Sequence, residues 1–395
     1  MHQVTVIAYP RYRDEVNAWL EANPDTCLDI RWLGMASKSA SATEKASSIP
    51  RELAMASHYV RWLRMVEDLA AQLIRSDAFD FIQLVSYGTL SAPVRLWNLG
   101  VPFILGPIGG GQKTGSEYQH LIGRLPVIAR IRNWRISLLH LHPAIRQMLR
   151  NCALVLVTNR ETSAIVESCG GKSTTFSDTG IGQNLLRVQP LNRQFGPGLK
   201  MLWVGRMIYR KALPLVFHAM KAAGRADIKL EIAGSGPMLT AWRNLVTLLG
   251  LDKQVVFRGE VSFGEVFELY DQADLLVFPS VSDSFGSQLI EAASRGLPIL
   301  TLDHQGAGTL LPSEAAWKVP VDGAEAVVQG LARAMVFLAD HPDRLRSMSE
   351  AALAYAQTES WPVRAERMTA IYNQLTSGCR PAKEMEAIPT RLDPV

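Results

Sequence analysis

Three loops in the second half of the chain carry residue types suited to an anion flanked by hydroxyl groups. In PSVSDSFGSQLIEAASRGLPIL, residues 279–300, one carboxylate (Asp283) precedes Phe285-Gly286-Ser287 and a second (Glu291) follows eight positions after the first. An apolar run ends at Pro279 and a helical pattern starts near Ser287. One acid therefore falls in a loop and the other about one turn into a helix, where both can face the mouth of one cleft. Gly286 permits close approach of the backbone, and the N–H groups after Ser287 are free at the helix start. Each carboxylate can accept hydrogen bonds from vicinal hydroxyls. The pattern suits a ligand with hydroxyls on both sides of a phosphate. Two acids near a helix N-terminus also serve simply to stabilise its dipole.

The segment VGRMIYRK, residues 204–211, follows another apolar run. Gly205 allows a tight turn there, and Arg206 and Lys211 put two cations on the loop that opens the next helix, which suits a diphosphate. A solvated turn with ordinary surface Arg and Lys has the same sequence. AGSGP, residues 233–237, is a weaker signal, because tight turning alone explains Gly-x-Gly after a strand. In the first half, Gly109-Gly110-Gly111 follows the run VPFILGP. It is either a flexible turn or a place where backbone amides come close to a ligand. Between Glu117 and Glu161 there is no acidic residue, while Arg124, Arg130, Arg132, Arg135, Arg146, Arg150 and Arg160 alternate with Leu, Ile and Trp134 at helical spacing. That stretch is a solvated helix face, an anionic-acceptor site or a surface for anionic lipid.

The elements that must position these loops read as alternating strands and helices. Apolar runs at residues 4–8, 27–32, 81–85, 103–105, 154–157 and 173–176 are separated by helical patterns such as residues 51–75. A polar, Pro- and Gly-containing segment at 190–200 reads as a linker. Beyond it the series restarts, with strands expected at 199–204, 229–233, 255–258, 275–278 and 299–302. Helices are expected at 212–223, 238–249, 266–272, 287–295, 324–339 and 344–358. Continuous apolar strands separated by helices fold as parallel sheets with right-handed crossovers, and ligands bind at the carboxyl ends of such strands. Residues after 378 are polar and Pro-containing and read as a disordered tail.

The 395 residues suffice for two or three cores, and the net charge of +4 is too small to indicate nucleic acid. The surplus sits in residues 1–195, which hold 21 basic and 15 acidic side chains. Four cysteines form no CxxC pair, so neither a disulfide framework nor a zinc site is expected. The opening MHQVTVIAYP reads as a strand rather than a signal peptide, and no 18-residue uncharged apolar run occurs. These features lead to the expectation of a cytoplasmic protein, peripheral on the membrane face if the basic stretch meets lipid.

Residues 279–300 resemble the donor-binding motif of glycosyltransferase family 4, retaining enzymes of the GT-B fold whose signature is an acid, seven residues, then Glu. The resemblance extends through VGRMIYRK, LEIAGSGP, VVFRGEV and LYDQADLLVFPS, and on to ESWPVRAERMTAIYNQL, in the family's order. It implies an α/β chain of two Rossmann-like parallel-sheet domains facing a central cleft. Residues 1–190 would bind the acceptor and 191–360 the donor, residues 361–378 would form a helix recrossing to the first domain, and 379–395 the tail. It further implies Asp283, Arg206 and Lys211 as catalytic groups. The donor would meet Glu291, Phe285, Gly286, Ser287, Gly205, Arg258 and Gly259, and Gly110 and Gly111 of a GPIGGG loop typical of a subgroup. No cofactor or metal is implied. The substrate would be a nucleotide-diphosphate sugar, UDP- or GDP-linked, and the acceptor a saccharide or lipid-linked saccharide. The sequence departs from the family in having Asp283 where most members have Glu, and GGGQK where many carry a His. A nucleotide-sugar epimerase of the same fold and a non-catalytic nucleotide-sugar-binding homologue are the competing readings.

Overall fold

Short runs of large apolar residues bounded by Gly, Pro and Asp set the strands. In the computed structural model the described residues are 2–24, 26–34, 49–85, 87, 89–123, 127–189, 191, 193 and 195–377. The expected tail at 379–395, Arg124, and Pro190 of the expected linker lie outside them. The chain divides into two units, one of residues 1–82 and 92–103, the other of residues 83–91 and 104–395.

In the first unit, β1 (Val4–Ala8), α1 (Arg13–Ala22), β2 (Leu28–Trp32) and α2 (Ile49–Ser76) follow in order. β1 and β2 pair in parallel, Val4 opposite Leu28. The Trp62 indole of α2 donates to the Leu33 carbonyl at 2.9 Å, tying the helix to the end of β2.

The second unit takes up the chain at β3 (Ile82–Leu84) and β4 (Phe103–Ile108). There follow α3 (Gln119–Ile122), α4 (Val127–Leu138), α5 (Pro143–Asn151), β5 (Leu154–Val157), α6 (Arg160–Ser168) and β6 (Ser173–Thr175). Strands β3 to β6 form one sheet in sequence order, with β4–β5 and β5–β6 parallel. Then come β7 (Leu199–Val204), α7 (Pro214–Ala223), β8 (Ile228–Ala233), α8 (Leu239–Leu249), β9 (Val255–Gly259), α9 (Phe263–Gln272), β10 (Leu275–Phe278) and α10 (Ser287–Ser294). The series closes with β11 (Ile299–Leu302), α11 (Gln305–Leu310), β12 (Ala316–Val319), α12 (Ala324–Asp340), α13 (Pro342–Thr358) and α14 (Trp361–Ser377). The sheet order is β12-β11-β10-β7-β8-β9, and its pairs are parallel. Winding goes outward from β7 through β8 and β9, then jumps to the other side of β7 for β10. That reversal opens a crevice at the carboxyl ends of β7 and β10, where parallel sheets bind ligands.

Alternate side chains of β7 point to opposite faces. Met201 and Trp203 enter one core with Phe217 and Trp242, while Leu202 enters the other with Phe285, Leu289 and Ala352. Helix ends follow local chemistry. α7 and α8 stop at Gly224 (φ 64°) and Gly250 (φ 70°), where glycine takes the left-handed backbone without a Cβ penalty. α9 begins at Phe263 rather than 266, because Ser262 and Glu265 form a capping box that supplies partners for both end amides. α7 begins at Pro214 rather than 212, after Ala212 has turned left-handed at φ 50°. α14 returns to the β3–β6 part of the unit. Arg364 donates to the Ser177 carbonyl and pairs with Glu359 at 2.6 Å, and the Tyr372 hydroxyl bonds Gln83.

Glycine at 234 is required by close approach. A Cβ there would lie 2.0 Å from the Gly205 carbonyl oxygen, at φ 127°. Gly264, by contrast, sits in the first turn of α9 with nothing within 4 Å of a Cβ. Gly234→Ala should therefore cost about 2 kcal/mol or more. Gly264→Ala should stabilise by roughly 0.5 kcal/mol. Urea midpoints of the two variants check this, and a Gly234→Ala protein as stable as the parent contradicts the packing described.

Candidate functional site

At the crevice, the loop after β7 is turned inward by the single-turn 3-10 segment Tyr209–Lys211 and the left-handed Ala212. Lys211 is 7% exposed as a result. The loop after β10 meets it. The Val281 amide donates to the Arg210 carbonyl at 2.9 Å, and Arg210 Nη1 donates to the Ser282 carbonyl at 2.7 Å. Asp283 lies between the cations, with Lys211 Nζ 2.7 Å from Oδ2 and Arg210 Nη1 2.8 Å from Oδ1. The Ser280 hydroxyl is 2.9 Å from Oδ2, and the Asp283 amide donates to Gln305 Oε1 at 2.7 Å. Burial pushes the Asp283 carboxyl up, but the charges of Lys211 and Arg210 outweigh it and hold it below the ordinary aspartate value of 3.8. Two cations against one carboxylate leave a net positive charge. Lys211 has three donors, and one of them reaches Asp283.

The α10 start lies in the same loop. Gly286, at φ 114°, is its N-cap and supplies no side-chain cap, so the first amides of the helix stay open to an anion. Phe285 is 1% exposed and packs into the core, which leaves only its backbone for a ligand. Ser287 is exposed. Glu291 Oε2 accepts from the Tyr270 hydroxyl at 2.9 Å. Burial, then the Glu291 charge, push the Tyr270 phenol well above its usual value, so it remains a donor. Glu291 Oε1 has no hydrogen-bond partner among the described residues.

Arg206 is exposed and makes no ion pair with any described residue. Its neighbour Gly205, at φ 152°, donates its amide to the Ala233 carbonyl at 3.0 Å. The AGSGP loop leans directly on this segment: the Met207 amide donates to the Ser235 carbonyl at 2.7 Å, and a Cβ at Gly236 would lie 2.6 Å from the Met207 oxygen. Its glycines thus serve loop packing. Arg258 pairs with Glu231 through two 3.1 Å contacts on the sheet surface. Gly259 has φ 80° and donates no bulk to its surroundings, with nothing within 4 Å of a Cβ.

Two amides of the glycine triplet have side-chain partners in this structure. Gly110 and Gly111 were expected to offer amides to a ligand, yet the Gly110 amide donates to Gln112 Oε1 at 2.7 Å and that of Gly111 to Thr162 Oγ1 at 3.1 Å. Gly109 and Gly111 also pack closely. A Cβ at Gly109 would lie 2.5 Å from Ser284 Oγ, and one at Gly111 would lie 2.7 Å from Thr162 Cα.

Several participants were not foreseen. Arg210, beside Lys211 in VGRMIYRK and not singled out from the sequence, turns its guanidinium onto Asp283. Gln305 is buried at φ 53°. Its amide donates to Glu161 Oε1 at 2.9 Å, and Nε2 donates to the Val281 carbonyl at 2.9 Å. His304 Nε2 lies 3.0 Å from the Ser280 carbonyl, and burial lowers its pKa, so the ring is a neutral donor at pH 7. Arg132 of α4 donates to Ser282 Oγ at 2.8 Å, next to Asp283. Among the described residues no group of three His, Cys, Asp or Glu is placed to hold a metal ion. No helix of the described residues is long and apolar enough to cross a membrane.

Residues 198–337, which carry β7 to β12 and the loops after β7, β8 and β10, match the family model described as Glycosyl transferases group 1. D-inositol 3-phosphate glycosyltransferase from Corynebacterium efficiens is 29% identical over 252 residues, 59% of this chain and 59% of that protein. The chain spans about half the length of the curated relatives it matches. Among solved structures, sucrose-phosphate synthase from Thermosynechococcus elongatus has a TM-score of 0.61 at 18% identity, covering 94% of this chain and 98% of that one. Anabaena HepE in complex with UDP has a TM-score of 0.57 at 14% identity, covering 91% and 89%. The chain has the GT-B fold of these proteins, an α/β architecture of parallel sheets.

The lowered Asp283 value fixes the sign of a pH effect. The unfolded carboxyl takes up a proton before the folded one does, so the clasp stabilises fully above the ordinary value and is lost as pH falls through the folded value. Asp283→Asn should be less stable than the parent near neutrality and lose stability less steeply below about pH 4. Urea midpoints from about pH 2.5 to about pH 7 measure this, and parallel curves for the two proteins would contradict it.

Proposed function

We propose that this chain is a retaining glycosyltransferase. It would move a hexose-type sugar from a UDP- or GDP-linked donor to a saccharide or lipid-linked saccharide, forming an α-glycosidic bond without a metal or other cofactor. The observation that carries this reading is the clasp of Lys211 and Arg210 on Asp283, beside the open α10 start and inside the segment matching the group 1 model. Solved structures of HepE with UDP and with UDP-glucose support the choice of donor class.

On this reading, the net positive charge at the clasp and the α10 amides receive the diphosphate, and exposed Arg206 closes on it from the rim. The Glu291 carboxylate, oriented by the Tyr270 hydroxyl, accepts from ribose hydroxyls through its unpaired oxygen. Asp283 holds Lys211 charged and aimed, and its shorter arm relative to Glu sets how near the donor sugar sits. The backbones of Gly205, Phe285, Gly286 and Ser287 line the phosphate and sugar, with Arg258 and Gly259 beside the base. Gly110 and Gly111 bring the backbone of the β4 loop toward the donor, and Gly109 packs that loop on Ser284. Residues 1–190 would serve the acceptor, residues 191–360 the donor, and residues 361–378 the return to the first part. In the transfer, the acceptor oxygen bonds to the anomeric carbon on the face from which the phosphate leaves, the bond to that phosphate oxygen breaks, and the acceptor proton passes to the departing phosphate. Lys211 stabilises the charge left on the diphosphate. An acceptor carried on lipid would be met at an anionic membrane face through the basic stretch 118–160.

Incubation with UDP-glucose, UDP-N-acetylglucosamine, UDP-galactose and GDP-mannose, without acceptor, tests the reading. Slow hydrolysis of one donor, reduced at least ~10²-fold by Lys211→Ala and by Glu291→Ala, is expected. Near-normal hydrolysis in both variants would overturn the donor-site roles. An isomerised donor would point to an epimerase, and binding without turnover to a non-catalytic homologue.

A further inference from the structure

Helix α4 has two apolar faces, and only one of them is packed. On the inner side Ala129 and Ile136 are buried, and Asn133 Nδ2 donates to the Thr114 carbonyl at 2.7 Å. On the outer side Val127, Ile131, Trp134 and Leu138 are 60%, 47%, 65% and 36% exposed, and Leu141 in the next turn is 59% exposed. At helical spacing the four helix residues fall within an arc of about 60°. Arg130 and Arg135 flank that arc, one about 40° beyond each edge. Neither arginine makes an ion pair with a described residue, and no acid occurs between Glu117 and Glu161. Other large exposed apolar side chains of this unit, such as Leu248 and Phe263, stand on separate elements. A contiguous apolar stripe bordered by cations is unusual on a surface left to water.

We propose that the outer face of α4 is a docking surface for an anionic lipid bilayer. The helix lies flat in the headgroup layer, with Ile131 and Trp134 seated against the acyl chains and Arg130 and Arg135 on lipid phosphates. The charge selects this occupant over a second copy of the chain, because two such faces would bring arginines together with no acid to pair them. The helix is about 18 Å long, enough to lay the whole stripe along one plane. Its opposite side carries Arg132, bonded to Ser282 beside Asp283, so the docked face and the donor loop are linked through one side chain. The inference rests on the membrane-face reading above and assigns it to named residues.

Sedimentation of the full chain with vesicles of 30% phosphatidylglycerol in phosphatidylcholine tests it, against vesicles of phosphatidylcholine alone. The expected result is at least tenfold stronger partitioning to the anionic vesicles, weakened by salt. Ile131→Ser/Trp134→Ser should lower partitioning at least tenfold, and Arg130→Gln/Arg135→Gln should lower it and flatten its salt dependence. UDP should raise the melting temperature of the parent and of both variants alike. Equal partitioning of parent and the serine variant would overturn the proposal. So would indifference of the parent to anionic vesicles, or a dimer in light scattering that the serine variant dissolves. Failure on vesicles with an intact UDP response removes the docking face and leaves the transferase reading. Vesicle binding with no response to any nucleotide sugar does the reverse.

Discussion

Lys211 and Arg210 close on the Asp283 carboxylate where the parallel sheet reverses its winding, and the surrounding loops are shaped to keep that contact closed. A carboxylate and an ammonium so far out of water are costly unless each has its partners, and removing one partner of a buried pair costs about 3–5 kcal/mol. The site meets this requirement with Ser280 and the Gln305 amide oxygen as further contacts on Asp283 and its backbone. Lys211 also lies 5.0 Å from the centre of the Phe278 ring, whose π face favours a cation. Ala212 accepts a left-handed backbone to turn Lys211 inward. The result is a fixed positive centre at the carboxyl ends of β7 and β10.

Close packing of backbones carries the same constraint outward. The loop after β8 leans on the loop after β7 through Gly234 and Gly236, and α11 leans on the Asp283 loop through Gly306, where a Cβ would lie 1.6 Å from the Ser284 oxygen. Gly109 presses against Ser284 from the β4 side, and Arg132 holds Ser282 from α4. Three segments distant in sequence thus converge on residues 282–286. A side chain added at Gly109 or Gly306, or the loss of Arg132, acts on a residue adjacent to Asp283. Helix α4 joins this assembly through Arg132, while its outer face stays exposed.

Much of this was legible in sequence wherever one local rule decided the outcome. Strands β7, β10 and β11 begin and end where their apolar runs do, because Asp, Gly or Pro stops each one. That the β7 and β10 loops carry cations and an open helix start followed from the residue types at strand-to-helix junctions. What was not legible depended on where a side chain is turned. Arg206, Arg210 and Lys211 share one loop, and the left-handed Ala212, which no residue preference announces, decides which of them face inward. Gln305 is likewise a non-glycine residue at positive φ, and its helix contains Gly306 and Gly308, so α11 carried no helical signal. The Gly110 and Gly111 amides found partners at Gln112 and Thr162, contacts that no reading of the triplet alone contains.

The proposed receipt of a nucleotide-sugar diphosphate by the positive centre at Lys211 can be measured directly. Calorimetric titration of UDP and GDP into the parent and into Lys211→Ala addresses it without any acceptor. Saturable binding of one nucleotide to the parent, weakened at least ~10-fold by the substitution, is the predicted result, since one charge-assisted contact contributes roughly 1.5–3 kcal/mol. Equal affinity in both proteins, or no binding of either nucleotide at millimolar concentration, would contradict it.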